Sequence, residues 1–300
     1  MIDYSIVVPV YKSVASLEKI IEGVQEIMLE IDHSFELIFV EDHGSMESWN
    51  ELVRLKKKCP EFIRVFRLSR NFGQNAATIC GIDHANGKDV ITIDDDLQIP
   101  LAEIKKLIDY KKLRDSDIVY GRFVDTNNSG IRRLGRYLVN LMLNGRSNTI
   151  GSSFRIIDSN LVNQIKNHSQ DHLFINQVIS WYTSDFAYVD VERSKREEGR
   201  SGYSLFKLIG ITFKLIFYYT SIPLKIMIGL CLIVAIICFG MAGYYIFRKV
   251  SLDNEIEVLT ITLFSAVSLI LASVSMIGVY VNRIYSARVK RPNYSIKIEL

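Results

Sequence analysis

Two long uncharged segments near the C-terminus constrain this chain of 300 residues more than any other feature. No charged side chain occurs over the 22 residues from Ile226 to Phe247 or over the 25 residues from Val258 to Asn282. A helix of about 20 apolar residues crosses the hydrocarbon core of a bilayer. Neither segment has the polar stripe that helices buried in a soluble core usually carry. The sequence therefore predicts two transmembrane helices within residues 223–282.

The charges around these segments predict an orientation. Lysines precede the first segment and arginines and lysines follow the second, whereas the connecting loop adds Asp253, Glu255 and Glu257 to its two basic residues. Because cytoplasmic flanks are enriched in Lys and Arg, we expect both termini in the cytoplasm. No signal-peptide pattern opens the chain, so residues 1–203 are expected there as well. Residues 204–222 are predicted to lie in the membrane interface, and 283–300 to form a basic cytosolic tail.

The first 121 residues alternate β-rich and helical stretches. We predict strands over 4–8, 35–40, 63–68, 90–93 and 118–120, and helices over 17–31, 48–58, 75–84 and 101–113. This alternation predicts an α/β fold, with a mostly parallel sheet and flanking helices. In such sheets ligands bind beyond the carboxyl ends of the strands. Polar residues follow the first four strands, and they are expected to meet at one edge.

The strongest chemical signal is Asp94-Asp95-Asp96, at the end of an apolar strand. Side chains alternate along a strand, so Asp94 and Asp96 should project to one side and Asp95 to the other. Two carboxylates on one side suit Mg²⁺ or Mn²⁺, and Gln98 could add an oxygen. Such an ion would bridge to a diphosphate. A solvated acidic turn is the alternative, disfavoured by the position at the end of a buried strand.

Asp42 follows the second strand and precedes Gly44-Ser45. A carboxylate there could accept hydrogen bonds from a base or ribose. It could equally cap the following helix. The residues alone leave both interpretations open.

These motifs together resemble the inverting GT-A glycosyltransferases of family 2. The resemblance rests on YSIVVPVY at 4–11, Asp42 with Gly44-Ser45, LSRNFG at 68–73 and DDDLQIP at 94–100. With the two C-terminal apolar segments, it extends to the branch of dolichyl-phosphate mannose synthases and bacterial polyprenyl-phosphate glycosyltransferases. It implies a GT-A nucleotide-sugar-binding domain over residues 1–203 and favours a bacterial inner membrane.

The resemblance also implies roles for individual residues. The nucleoside would be held by Pro9, Tyr11 and Asp42. Asp94 and Asp95 would help to bind the donor, and Asp96 with Gln98 would ligate the metal. Phosphate oxygens would be bound by Arg122, Arg133 and Arg196, because a guanidinium group pairs with such oxygens in two places at once. Three residues depart from the family pattern: His43 interrupts what is usually an Asp-Asp-Gly-Ser run, Ser153 stands where the family often has Asp before Phe-Arg, and Gly202 replaces the usual lysine of a Ser-Lys-Tyr loop.

The resulting expectation is a hexosyltransferase that moves a sugar from a nucleotide sugar, UDP-linked by preference, to a polyprenyl phosphate. Transfer to a hydroxyl of a saccharide or lipid-linked glycan is one alternative, and a catalytically silent scaffold of a glycan pathway is another. The glycine-bearing apolar segments favour a homo-oligomer. The net charge of +3 is too small to suggest nucleic-acid binding. The four cysteines form no disulfide or zinc pattern.

Overall fold

The computed structural model describes residues 2–123, 152–167, 175–192, 224–231, 252–288 and 292–300, together with residues 233, 234, 236 and 240. The chain forms two compact units. The first comprises Met1–Leu134, Arg146–Ser201 and Arg291–Leu300. The second comprises Gly135–Gly145 and Gly202–Lys290.

The described strands are β1 (Tyr4–Val10), β2 (Phe35–Glu41), β3 (Ile63–Leu68), β4 (Asp89–Thr92), β5 (Ile118–Phe123), β6 (Arg155–Asp158), β7 (Phe186–Val191) and β8 (Ile296–Glu299). The described helices are α1 (Ala15–Glu30), α2 (Met46–Lys58), α3 (Gln74–Asp83), α4 (Glu103–Arg114), α5 (Ser159–Lys166), α6 (Ile175–Tyr182) and α7 (Leu252–Arg288). Residues 224–231 are also helical.

All eight described strands belong to one sheet of order β7-β5-β6-β4-β1-β2-β3-β8. β1 pairs in parallel with β2 and β4, β2 with β3, and β5 with β7. β6 is antiparallel to β4 and β5, and β8 is antiparallel to β3. The predicted α/β class is confirmed. The sheet is mixed, and the strands β1 to β4, all predicted from the sequence, form a continuous parallel part.

Strand β1 lies between β4 and β2 in the interior of the sheet, and all seven of its residues are buried. Such continuous apolar strands are typical of parallel sheets covered on both faces. Ile6 and Val8 pack into the core layer that contains residues of α1, α2 and α4, whereas Val7 packs into the layer with residues of α3, α5 and α6. The helices on both faces therefore hold the carboxyl end of β1 at a fixed edge.

Strand β8 corrects the prediction of a basic cytosolic tail over residues 283–300. It pairs antiparallel with β3, and Leu300 and Val65 exchange backbone hydrogen bonds of 2.9 and 3.1 Å. Ile296 and Ile298 alternate with exposed charged residues. A strand of four residues offers too short an alternation to be distinguished from a charged tail.

Helix α7 contains the second predicted apolar segment. Within the part of the chain that the structure describes, no helix combines the length and the apolarity that crossing a membrane requires. The first segment is described only in part, and residues 204–222 lie outside the described residues. Both transmembrane helices therefore stay a prediction.

Replacing Gly87 with alanine should destabilise the fold. A Cβ at this position would lie 2.4 Å from the Ser5 backbone nitrogen and 2.7 Å from the Tyr4 carbonyl carbon, neither of which can move like a side chain. We expect Gly87→Ala to lower stability by about 1–3 kcal/mol, measured as a fall in the melting temperature. Gly278→Ala is the control, since a Cβ there meets no atom within 4 Å. Equal melting temperatures for wild type and Gly87→Ala would contradict this packing.

Candidate functional site

The acidic triplet leaves the sheet at the end of β4. Asp94, Asp96 and Gln98 line one pocket, whose apolar walls include Ile93 and Phe154. Asp95 points the other way, toward the end of β1. As predicted, Asp94 and Asp96 lie together and Asp95 lies apart, although β4 ends at Thr92 and the triplet continues beyond the strand into a turn. All three proposed metal ligands line the same pocket.

Asp94 is held by hydrogen bonds to both of its carboxylate oxygens. The Gln74 amide nitrogen donates to Oδ1 at 2.6 Å, and the Ser153 hydroxyl donates to Oδ2 at 2.5 Å. Ser153 is itself fixed, because the Thr92 hydroxyl donates to its carbonyl oxygen. The departure at Ser153 therefore places a neutral donor against Asp94.

Asp95 connects β4 to the chain that follows β1. Its Oδ2 accepts hydrogen bonds from the Tyr11 backbone N–H at 3.0 Å and the Ser13 hydroxyl at 2.6 Å. Pro9 is buried within β1, and Tyr11 is 49% exposed. Two residues here are predicted to hold a nucleoside. Tyr11 is accessible to a ligand, whereas Pro9 is buried in the strand.

Asp42 clamps the loop after β3. It is 3% exposed, and its two carboxylate oxygens accept hydrogen bonds of 2.7 Å from the backbone N–H groups of Phe72 and Gly73. The alternative role as a helix cap is taken by Ser45, whose hydroxyl accepts from the Ser48 N–H at 3.1 Å. Asp42 therefore ties the end of β2 to the loop that leads into α3.

The departure at His43 is accommodated by a left-handed backbone conformation with φ of 51°. Its ring Nδ1 lies 3.3 Å from the Leu68 carbonyl oxygen at the end of β3. Gly44 follows because a Cβ there would lie 2.8 Å from the Lys12 backbone nitrogen. The chain therefore turns sharply at His43 and Gly44 directly after β2.

A strained turn follows the acidic triplet directly in the chain. Leu97 has φ of 52°, which is uncommon for a residue other than glycine. The turn brings the Gln98 N–H to 3.2 Å from Asp96 Oδ1. Such outliers cluster at functional sites, where the surrounding structure enforces them.

Arg122 lies at the same edge of the sheet. Tyr120 and Thr92 both pair with Arg155, and β5 runs in the same direction as β4 because both are antiparallel to β6. Arg122, two residues beyond Tyr120, is therefore level with Asp94, two strands or about 10 Å away. Its Nε donates to Asp190 Oδ1 at 2.7 Å. Arg133, Arg196 and Gly202 lie outside the described residues.

Burial raises the pKa of the Asp94 and Asp95 carboxyls. Removal from water is the largest cause for both. Hydrogen bonds from Ser153 to Asp94, and from Ser13 and Tyr11 to Asp95, act in the opposite direction. The neighbouring charge of Asp96 raises both pKa values further. The ionised site therefore carries an unfavourable concentration of negative charge.

The sequence did not predict the residues that hold these carboxylates, which are Gln74, Ser13 and the hydroxyl of Ser153. The buried Arg155 was missed as well: it is 2% exposed, and its Nη1 donates to Asn176 Oδ1. Its charge opposes the rise in the pKa of Asp94. Only the position of Gln74 directly after Gly73, at the start of a helix, was a local signal.

The chemistry of the pocket fits a divalent cation. Among the described residues, no group of three or more His, Cys, Asp and Glu side chains is placed to hold a metal ion. Mg²⁺ is usually held by one or two carboxylates together with substrate phosphates, so such a group is not required. Asp94, Asp96 and Gln98 supply two carboxylates and an amide. A bound cation would also offset the mutual repulsion of the carboxylates.

The fold is an α/β fold whose polar and acidic residues gather at the carboxyl edge of the sheet, where such folds usually bind ligands. The model of the family "Glycosyl transferase family 2" matches residues 5–166, which is more than half of the chain. The chain therefore belongs to glycosyl transferase family 2.

Relatives match along almost the whole chain. An undecaprenyl-phosphate 4-deoxy-4-formamido-L-arabinose transferase of Photorhabdus laumondii is 27% identical, over 98% of this chain and 93% of the relative. A prophage bactoprenol glucosyl transferase homolog of Escherichia coli is 28% identical, over 98% of both chains. Among solved structures, the glucosyl-3-phosphoglycerate synthase of Mycobacterium tuberculosis in complex with Mn²⁺, UDP and phosphoglyceric acid has a TM-score of 0.52 at 14% identity, covering 71% of this chain and 75% of that one. This last likeness shows the fold alone.

Replacing Asp95 with asparagine should stabilise the protein at neutral pH. A carboxyl whose pKa is raised by folding contributes stability below its unfolded pKa, and that contribution is lost as the pH rises through the folded pKa. An asparagine oxygen can still accept from Tyr11 and Ser13 but carries no charge. We expect Asp95→Asn to raise the melting temperature at pH 7.5, with a gain of 1 kcal/mol giving about 2–4 °C.

The gain of Asp95→Asn should shrink as the pH falls toward the ordinary range of an aspartate. Asp109→Asn, on the exposed face of α4, is the matched control and should change little. A variant equally less stable than wild type at both pH values would contradict the sign of the effect.

Proposed function

We propose that this protein transfers a sugar, with inversion, from a nucleotide-diphosphate sugar to a polyprenyl phosphate at the cytosolic face of a membrane. The observation that carries the proposal is the match along 98% of the chain to relatives named as undecaprenyl-phosphate and bactoprenol sugar transferases. The site is consistent with this chemistry, because it combines a carboxylate pocket with a cationic side chain at one edge of the sheet.

The donor would bind at the pocket of Asp94, Asp96 and Gln98. These residues would hold Mg²⁺ or Mn²⁺, which when bound neutralises the charge that develops on the departing nucleotide. Tyr11 and Asp42 would contribute to the nucleoside side, where the exposed Tyr11 ring offers a face for a base. A UDP-linked donor is the first choice for testing, since UDP is bound in the structural relative with the same fold.

The acceptor would be a phosphate, which needs little activation. A phosphate monoester has its second pKa near about 6, so it is mostly dianionic at neutral pH and requires no strong general base. Arg122 would hold it, because its Nε bond to Asp190 leaves Nη nitrogens that carry further N–H donors. Arg133 and Arg196 remain candidates for the same task.

A membrane location is supported by the apolar side chains of α7. Large hydrophobic residues along this helix are strongly exposed, from 44% for Val267 to 71% for Leu259. Exposed apolar surface on this scale is typical of sites that contact lipid or other proteins. We infer an integral protein of a bacterial inner membrane with both termini in the cytoplasm, assembled as a homo-oligomer.

Asp96→Ala should reduce sugar transfer at least about 100-fold, because metal stabilisation of a departing anion is worth several kcal/mol. The assay follows radiolabelled sugar from UDP-, GDP- and dTDP-sugars into the organic phase with a short polyprenyl phosphate, with and without EDTA. Asp109→Ala, an exposed aspartate of α4, is the matched control. A fully active Asp96→Ala variant would refute the metal role.

The same assay distinguishes the two kinds of acceptor. A product stable to mild acid would favour a hydroxyl acceptor, since a sugar–phosphate linkage is acid-labile.

Arg122→Ala should raise the KM for polyprenyl phosphate about tenfold and leave the KM for the sugar donor unchanged, because a charge-assisted contact is worth about 1.5–3 kcal/mol at most sites. The exposed ion pair with Asp190 adds little to stability, so the variant should fold normally. Initial rates at varied acceptor concentration test this, with the exposed Arg114→Ala as control. An unchanged acceptor KM would remove Arg122 from the acceptor site.

A further inference from the structure

The loop Ser69–Gly73 and helix α3 contact two carboxylates of the proposed donor site, Asp42 and Asp94. Phe72 and Gly73 donate to Asp42 at the end of β2, each at 2.7 Å. Gln74, the first residue of α3, donates to Asp94 at the end of β4 at 2.6 Å. The orientation of two carboxylates that the proposed function uses therefore depends on where this loop and helix lie.

The last residues of the chain hold this loop and helix at two points. The Ser69 N–H, at the start of the loop, donates to the Ser295 carbonyl oxygen at 2.7 Å. At the far end of α3, the Tyr294 hydroxyl donates to Asp83 Oδ2 at 2.8 Å. The two contacts come from adjacent residues, so one short segment grips both ends of the element that carries Phe72, Gly73 and Gln74.

The Tyr294 side chain is also fixed by burial and by ring contacts. Burial, followed by the nearby charge of Asp83, raises the pKa of the Tyr294 hydroxyl, which keeps its proton and remains a donor. The Tyr294 ring meets the His84 ring edge-on at 6.3 Å, and His84 packs in turn on Phe66 of β3 at 4.5 Å. The segment is thus packed against α3 and β3 as well as hydrogen-bonded to them.

Strand β8 anchors the same segment along the sheet. It pairs with Phe66, Arg67 and Leu68 of β3, the strand that leads into the loop. Glu299 also forms an ion pair with Arg64 at 3.4 Å. Because this pair is exposed to solvent, it adds little to stability. Backbone pairing therefore supplies most of the anchoring, and it covers an edge of β3 that would otherwise present unpaired N–H and C=O groups.

We propose that residues 294–300, which follow the predicted membrane segments, are a positioning element of the donor site that fixes the Ser69–Gly73 loop and α3 against Asp42 and Asp94. This inference rests on the proposed function for its kinetic consequence. Its structural content is independent, because it concerns the order of the loop in the protein without ligand. Tyr294 acts through Asp83 and α3, to which its hydroxyl is bonded.

The test uses the full-length chain with Tyr294→Phe, which removes the hydroxyl and keeps the ring. Asp83→Asn is the conservative partner variant, since its amide oxygen still accepts from Tyr294. Tyr182→Phe, 38% exposed at the end of α6, removes the same atom elsewhere and is the matched control. Amide hydrogen exchange of Phe72 and Gly73 is measured first, and donor KM and kcat second.

We expect Tyr294→Phe to speed exchange at Phe72 and Gly73 about three- to tenfold, the factor that loss of one hydrogen bond gives. The donor KM should rise by a similar factor with kcat retained, while Asp83→Asn and Tyr182→Phe stay close to wild type. Unchanged exchange at these amides in Tyr294→Phe would overturn the inference. So would a lower melting temperature with an unchanged donor KM, which would indicate a merely structural role.

The two proposals fail in different ways. If the wild-type protein transferred no sugar from any nucleotide donor, the proposed function would fall, and exchange at Phe72 and Gly73 would still decide whether the C-terminal segment positions the loop. If the wild type were active and Tyr294→Phe matched it in exchange and in donor KM, only the positioning role would fall.

Discussion

The parallel pairing of β1 with both β2 and β4 is the constraint on which the rest of the structure depends. It brings the carboxyl ends of these strands to one edge, where Asp42, Tyr11 and Asp94–Asp96 follow within a few residues. The carboxylates at these strand ends accept hydrogen bonds from neighbouring segments: Asp95 from the Tyr11 N–H, Asp42 from the Phe72 N–H and Asp94 from the Gln74 amide. A buried, continuous apolar β1 is what makes this pairing possible, since only a strand covered on both faces can sit between two parallel neighbours.

Several carboxylates lie close together at that edge, and neighbouring groups reduce the free-energy cost of burying their charges. Neutral donors such as Ser153, Gln74 and Ser13 hydrogen-bond the carboxylates, and the buried Arg155 lies behind Asp94. These groups reduce the penalty of burial without neutralising it, because the pKa of Asp94 and Asp95 remains raised. A site that stays electrostatically unfavourable in the absence of a cation is suited to binding one, and this is a common exchange of stability for function.

The sequence predicts the parallel half of the sheet well because its strands are long apolar runs separated by amphipathic helices. Asp94, Asp96 and Gln98 line one pocket, as predicted, although they lie beyond the end of β4 at Thr92, where strand alternation no longer applies. Contacts between distant segments were not predictable, since nothing near Gln74 or Ser153 in sequence indicates a partner at Asp94. For Asp42 the residues left two roles open, and the structure shows a third, a clamp on the loop after β3. β8 was missed because four residues carry too little pattern.

The charge arrangement bears on the nature of the acceptor. A phosphate dianion approaching Asp94 and Asp96 would be repelled by them, so a site for such an acceptor needs positive charge on the acceptor side of the edge. Arg122 provides it at the same level of the sheet, about 10 Å or two strands from β4, which is far enough to leave room for a sugar between the two. A hydroxyl acceptor would instead require a carboxylate placed to take its proton. Asp190 is one carboxylate beside Arg122, and its Oδ1 already accepts a hydrogen bond from the Arg122 Nε. The arrangement at this edge is therefore better suited to an acceptor that arrives ionised.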